Sequence, residues 1–195
     1  MQQNLVWKPW VNPGVEHLSL AIAHDGAHAS SHLLQSIRGN SVAATYVLHY
    51  DERWRFRRLW LKADNLGQRH LELCRDIRGC WYLNGQPRDD LGDCQQVMLS
   101  ASPFTHTPPL QRSALQPGES ETLNVAYVDL LSLHVEARQQ RYLCEQRQAS
   151  HAVYRCEAEG HAAVELTVDD KGLLVQAIDQ FIRVREHTLR QAEYA

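Results

Sequence analysis

A chain of 195 residues, 44% apolar and 22% charged, has the length and balance of a folded protein with one sizeable core, and is unlike a disordered or fibrous chain. Its net charge of −3 gives no support to a nucleic-acid partner held by phosphate neutralisation, and no run approaches the ~20 apolar residues of a membrane helix. Lysine is scarce (Lys8, Lys62, Lys171), so arginine supplies nearly all positive charge.

Residues 1–14 read as a polar lead-in holding Trp7, Pro9, Trp10, Pro13 and Gly14. They lack the apolar core and basic flank of a signal peptide, so a cytoplasmic location is the expectation. From Val15 the pattern turns to β. Val15 to His24, Ala27 to Ile37 and Val42 to Tyr50 are separated by Asp25-Gly26 and Gly39-Asn40, both tight-turn pairs. Trp54 to Leu61 interleaves arginines with Phe56, Leu59, Trp60 and Leu61, and His70 to Cys74 and Cys80 to Leu83 flank an Asp76-Ile77-Arg78-Gly79 turn. Asn84-Gly85 is the best two-residue hairpin signal in the chain, and residues 86–98 read as a loop.

Leu99 to Arg112 stands apart. Pro103, Pro108 and Pro109 each remove a backbone donor and restrict φ, and they push Ser102 and Thr107 towards extended backbone. The expectation is a stiff, extended, helix-free segment crossing between two curved sheets and carrying Phe104 among hydroxyls. After the Gln116-Pro117-Gly118-Glu119 turn, strands resume at Thr122 to Val128, Leu133 to Gln146, Ala152 to Glu157, Ala162 to Val168 and Leu173 to Val184. Residues 185–195 read as a polar tail with a short frayed helix. About ten or eleven strands at this spacing predict an all-β fold of curved antiparallel sheets, a spiral roll or incomplete barrel with little helix.

No motif commits the chain to a chemistry. His24, His28 and His32 are four apart, but in a strand such positions lie ~13 Å from one another, so a solvated histidine face is expected and no metal site. The five cysteines lack Cys-x-x-Cys spacing and read as reduced, mostly buried thiols. There is no Gly-x-Ser-x-Gly, no phosphate-cradling glycine loop and no cofactor motif. Trp54, Trp60, Trp81, Tyr82 and Phe104 are the large aromatics: any one of them is expected first as core packing, and in a pocket they would stack on sugars or line an acyl channel.

The proline stretch, Ser102-Pro103-Phe104-Thr105-x-Thr107-x-Pro109-Leu110-x-Arg112, resembles the signature of the putative glycolipid-binding domain family. The resemblance extends through Asp51-x-x-Trp54-x-x-Arg57, Leu71-x-Leu73-x-x-Asp76-x-x-Gly79-x-Trp81-x-Leu83-x-Gly85 and Leu91-Gly92-Asp93-Cys94. It continues through Tyr127-Val128, Gln140-x-Tyr142, Tyr154-Arg155-Cys156 and Val168-Asp169-x-x-Gly172, and closes at Phe181-x-Arg183. His106, Pro108 and Gln111 depart from the pattern, where Asn, Leu and Arg are expected. The resemblance implies a spiral β-roll similar to carriers that shield acyl chains. The expected function is therefore binding of a glycolipid or other amphipathic small molecule in an apolar trough. Phe104, Trp81 and Tyr154 would line it, with Thr105, Thr107, Arg112 and Arg183 at its rim for the head group. Two alternatives stand beside it: a sugar-directed hydrolase or isomerase, marked by facing carboxylates, and an interaction protein whose trough is plugged by Trp60, Trp81 and Phe104.

Overall fold

The computed structural model describes residues 2–65 and 67–184; the expected terminal helix at 185–195 lies outside them. The first strands are β1 (Gln2–Pro9), β2 (Gly14–Ala23), β3 (Gly26–Ile37), β4 (Asn40–Tyr50), β5 (Phe56–Asp64), β6 (Gln68–Arg75), β7 (Trp81–Leu83) and β8 (Gln86–Pro87). There follow β9 (Cys94–Leu99), helix α1 (Thr107–Ser113), β10 (Ser120–Val128), β11 (Val135–Arg147), β12 (His151–Ala158), β13 (Val164–Asp169), β14 (Leu174–Ala177) and β15 (Phe181–Arg183). Among the described residues these fifteen strands form one continuous sheet, in the order β8 to β1 and then β15 to β9. The sheet is curved and does not close, an incomplete barrel of the all-β class. No helix among the described residues is long and apolar enough to cross a membrane.

The path is a spiral. The chain starts at the sheet's centre, where β1 pairs with both β2 and β15, and meanders out to β8. It then jumps to the opposite edge at β9 and returns strand by strand to β15. Every neighbouring pair is antiparallel except β9 with β10. A parallel pair needs a crossover longer than a hairpin, and the proline segment is that crossover.

Three expectations need correction here. Residues 1–14 are no lead-in: β1 buries Leu5 and Trp7 on alternate positions, and the Trp7 indole donates to the Leu174 carbonyl at 2.9 Å. Proline in the flanks masked a short alternation. Residues 86–98 are not all loop, since β9 is buried along nearly its whole length. A strand covered on both faces shows no period-two pattern, which is the signal the sequence lacks. The proline segment is helical: Pro103 to His106 form a 3-10 turn and Thr107 to Ser113 an α-helix. Ser102 is extended as expected, but the prolines sit in first-turn positions, where no intrahelical donor is missed and φ suits a helix.

Two apolar clusters occupy the concave side. The first gathers β1 to β7, with parts of β9, β10 and β11, around Trp7, Tyr46, Phe56, Trp81 and Phe104; the second gathers β10 to β14 around Leu110, Leu123, Tyr142, Tyr154 and Leu166. The crossover plugs both, with Phe104 in the first and Leu110 in the second. At the β2–β3 turn Gly26 is obligatory, because a Cβ there would stand 2.0 Å from the Tyr50 carbonyl oxygen.

Candidate functional site

The crossover brings the polar chemistry together. Ser102 ends the extended stretch and donates to the Glu16 carboxylate at 2.9 Å, and Ser31 (2.8 Å) and Tyr46 (2.5 Å) donate to the same oxygen, Oε1. Glu16 has no exposed surface, and its Oε2 has no partner. Burial pushes its carboxyl up to about 7 despite the three hydroxyl donors, which act the other way. Four elements of the first half are thus joined at one buried acid.

On the other side of Ser102 lies a cavity of about 120 Å³. Met98, Leu99, Val164 and Phe181 form its apolar wall, and Ser102, His106, Gln140, Arg138 and His161 its polar one. The 3-10 turn places His106 beside β11, where alternation turns Gln140 and Tyr142 inward. The Tyr142 hydroxyl donates to Gln140 Oε1 at 3.0 Å, so it accepts from His106 Nδ1, also at 3.0 Å. That fixes the His106 proton on Nδ1 and leaves Nε2 an acceptor. Burial holds the imidazole neutral, down to about 4. The Gln140 amide N–H groups and His106 Nε2 have no protein partner among the described residues. A paired free donor and acceptor of this kind suits a hydroxyl group. At the mouth, Arg138 is held over the Tyr127 ring at 3.6 Å, by Glu136 at 2.6 Å and by His161 at 3.1 Å.

A larger groove of about 420 Å³ runs between α1 and the β12 and β13 ends, lined by Leu110, Arg147, Tyr154, Asp170 and Lys171 among others. It is wide and mainly polar. The smaller cavity combines an apolar wall with converging free polar groups, and that makes it the better ligand site.

The seven residues expected from the sequence lie elsewhere. Phe104 and Trp81 belong to the first core, joined by an aromatic chain: Phe104 to Tyr50 (6.4 Å), Tyr50 to Phe56 (6.1 Å), and Phe56 stacked on Trp81 (5.0 Å). Thr105 is buried and donates to the Ser102 carbonyl at 2.9 Å, while Thr107 is buried with its hydroxyl unpartnered. Tyr154 lies in the second core, its hydroxyl accepting from Arg147 at 2.6 Å. Arg183 is paired with Asp169 at 2.8 Å, and Arg112 is exposed, donating to Gln95 at 3.2 Å. The structure does not gather these seven into one pocket. Gln140 and Phe181 stand in the Gln140-x-Tyr142 and Phe181-x-Arg183 pairs that carry the family resemblance, and of these four residues only Arg183 is expected at the site from the sequence.

The remaining sequence candidates are quickly placed. His24, His28 and His32 are exposed, with the His28 and His49 rings tilted against each other at 4.1 Å. Among the described residues no three His, Cys, Asp or Glu side chains gather as metal ligands. Cys94, Cys144 and Cys156 are buried, Cys74 half-buried and Cys80 exposed. The carboxylate pair required by the hydrolase alternative is missing from the cavity wall, where no Asp or Glu is found among the described residues. Trp60 plugs nothing: it is 41% exposed on the outer face.

The family model described as "Putative glycolipid-binding" matches residues 4–183. A solved structure of a DUF1089 family protein from Pseudomonas aeruginosa is similar, at 26% identity and a TM-score of 0.76 over 88% of this chain and 92% of that one. No curated protein matches.

Proposed function

This chain belongs to the putative glycolipid-binding family, and from that premise we propose that it is a binding protein for an amphipathic, sugar-bearing molecule. The observation that carries the reading is the free Gln140 donor and His106 acceptor opposite Phe181 and Val164 in one cavity. A sugar offers that combination: hydroxyls in the plane of the ring and an apolar face.

Volume decides which part of the ligand sits there. At ~30 Å³ per water, a cavity of about 120 Å³ holds on the order of four waters, enough for a head-group fragment and too little for an acyl chain. The tail has a path beside it. A groove of about 320 Å³, lined by Pro9, Val11, Ile37 and Ala101, shares Ser100, Gln180 and Phe181 with the cavity. Covering a tail there supplies up to ~0.8 kcal/mol per buried CH₂, while the head group sets orientation. In this reading the seven residues expected from the sequence form the framework behind the site, except that Arg112 remains available at the surface. A cytoplasmic location belongs to the same reading.

Octyl glucoside below its micelle concentration is the probe. Saturable binding, seen by ¹H–¹⁵N chemical shifts around Gln140 and Phe181, is expected to be weakened by Gln140→Leu and abolished by Val164→Trp. Mass spectrometry of organic extracts of the purified protein then identifies the natural occupant. An empty extract together with non-saturable octyl glucoside shifts would refute the proposal.

A further inference from the structure

A second feature is built from residues that do not line the cavity. Arg57 on β5, Arg75 at the end of β6 and Arg112 in the last turn of α1 come from distant parts of the chain, and their contacts lead to Trp81 and its neighbours. The Trp81 indole donates to the Cys94 carbonyl at 3.2 Å, and Arg75 lies over the same ring at 5.9 Å. Gln95, next to Cys94, accepts from Arg112 at 3.2 Å. Arg57 donates to the Asp76 carbonyl at 3.2 Å, at the start of the turn that follows Arg75. Gly79 leaves room for the Arg75 guanidinium, since a Cβ there would stand 3.2 Å from its terminal nitrogen.

Carboxylates are too few for these cations. Asp51 serves both Arg55 (2.6 Å) and Arg57 (2.9 Å). Asp76 turns its side chain to the backbone N–H groups of Arg78 and Cys80. Among the described residues, Arg75 and Arg112 have no acidic partner, and the buried Nε of Arg75 has no hydrogen bond at all. Burial, then the charges of Arg57, Arg112 and Arg55, draw Arg75 below the usual arginine range. A protein of net charge −3 thus leaves Arg75 and Arg112 without a carboxylate among the described residues, while Arg57 shares Asp51 with Arg55. Like charges held together without a counter-ion destabilise the fold, and a bound anion would relieve the repulsion.

We propose that Arg57, Arg75 and Arg112 form an anion site for a phosphate-type oxyanion, separate from the sugar-sized cavity. Guanidinium forks match a tetrahedral oxyanion bidentately, and Trp81 fixes the Arg75 plane from below. The anion is either free phosphate or the phosphate of a lipid head group. Ile77 bears on that choice: it is 90% exposed at the tip of the turn between Arg75 and Gly79, where it would enter a bilayer beside a seated head group.

Two probes separate the sources: inorganic phosphate, and phosphatidylcholine vesicles doped with phosphatidic acid. Each is compared with chloride or pure phosphatidylcholine at equal ionic strength. The variants are Arg112→Gln and Arg75→Gln, with Arg58→Gln as a control, because Arg58 is paired with Glu72 away from this cluster. If the site exists, at least one probe binds, Arg112→Gln weakens it about tenfold or more, and Arg58→Gln does not. Phosphate binding unaffected by Ile77→Ser identifies a free oxyanion. Vesicle binding lost in Ile77→Ser, without phosphate binding, identifies a lipid head group. Should neither probe bind beyond its control, or should Arg112→Gln and Arg58→Gln act alike, the proposal falls. Arg112 is exposed and makes one hydrogen bond, so its variant is expected to fold even if Arg75→Gln does not. The octyl glucoside experiment is independent of this one.

Discussion

Strands β1 to β7 and strands β10 to β15 curve in the same way but enclose different things. The first set keeps 8 to 12 residues in every strand from β1 to β6 and closes on a continuous run of rings from Phe104 through Tyr50 and Phe56 to Trp81. The second set includes the 13 residues of β11 but tapers to the four residues of β14 and three of β15, so fewer side chains reach its interior at that end. Helix α1 fills one end through Leu110, and the space beside Phe181 stays open. A half-barrel is a core where its strands are long enough to fill it and a binding site where they are not. The proline crossover is the seam: Phe104 completes the filled half, and Ser102 and His106 furnish the open one.

The contrast is broken most severely at Phe104. It is fully buried, so Phe104→Ala is expected to lower unfolding free energy by ~3–5 kcal/mol. Octyl glucoside affinity should be nearly unchanged at temperatures where the variant is folded. Urea unfolding checks the first part and titration the second; a stability loss under 1 kcal/mol would mean the first half is not a filled core.

Two buried groups, Glu16 in the first half and His106 at the cavity, are shifted within the range from pH 4 to 7, and their pH dependences oppose. Glu16 is raised from 4.5 to about 7, so the native state keeps a proton that the unfolded state releases between those values. Its stabilisation is complete below about 4.5 and is lost as pH rises to about 7, a change on the order of 3 kcal/mol. His106 is lowered from 6.5 to about 4, so here the unfolded state binds the extra proton, and stability is lost as pH falls through that window. Its effect is the smaller, because His106 keeps some contact with solvent through the cavity. In the parent the two partly cancel. Glu16→Gln is expected to be more stable than the parent at pH 8 and equal to it at pH 4; His106→Asn should gain relative to the parent only on the acid side. Thermal unfolding across pH tests both, and parallel profiles for parent and variants would contradict the assignment.

Smaller again is the effect expected in the open half. Val164→Trp should abolish octyl glucoside binding while altering stability by about 1 kcal/mol or less, because it fills space already present. Smallest is the outer face, where Arg58 and Glu72 are 55% and 37% exposed at 2.6 Å. A double-mutant cycle there should give a coupling of ~0–1 kcal/mol that fades with salt.

Legibility in the sequence followed burial on one face. Strand β13, with Val164, Leu166 and Val168 alternating against Glu165 and Thr167, was readable because one side meets solvent. Strand β9 was not, because both its sides are covered. Phe104 and Trp81 stand out in the sequence as large apolar side chains, but a buried ring looks the same in sequence whether it packs on a ligand or on another ring. Prolines such as those of the crossover are forbidden in a helix interior; their tolerance at a first turn depends on where the helix starts, and that is a tertiary outcome.

What the sequence by itself determined is the all-β class, the main hairpins at Asp25-Gly26 and Asn84-Gly85, and the family resemblance, because period-two alternation and turn chemistry are local properties of the chain. Only the tertiary structure decided that β1 lies at the centre of one spiral sheet, that Glu16 meets Ser102 across 86 positions, and that Gln140 and His106 face Phe181. These are contacts between residues far apart in the chain, and curvature and register set them: a shift of one residue in β11 would turn Gln140 and Tyr142 away from the cavity.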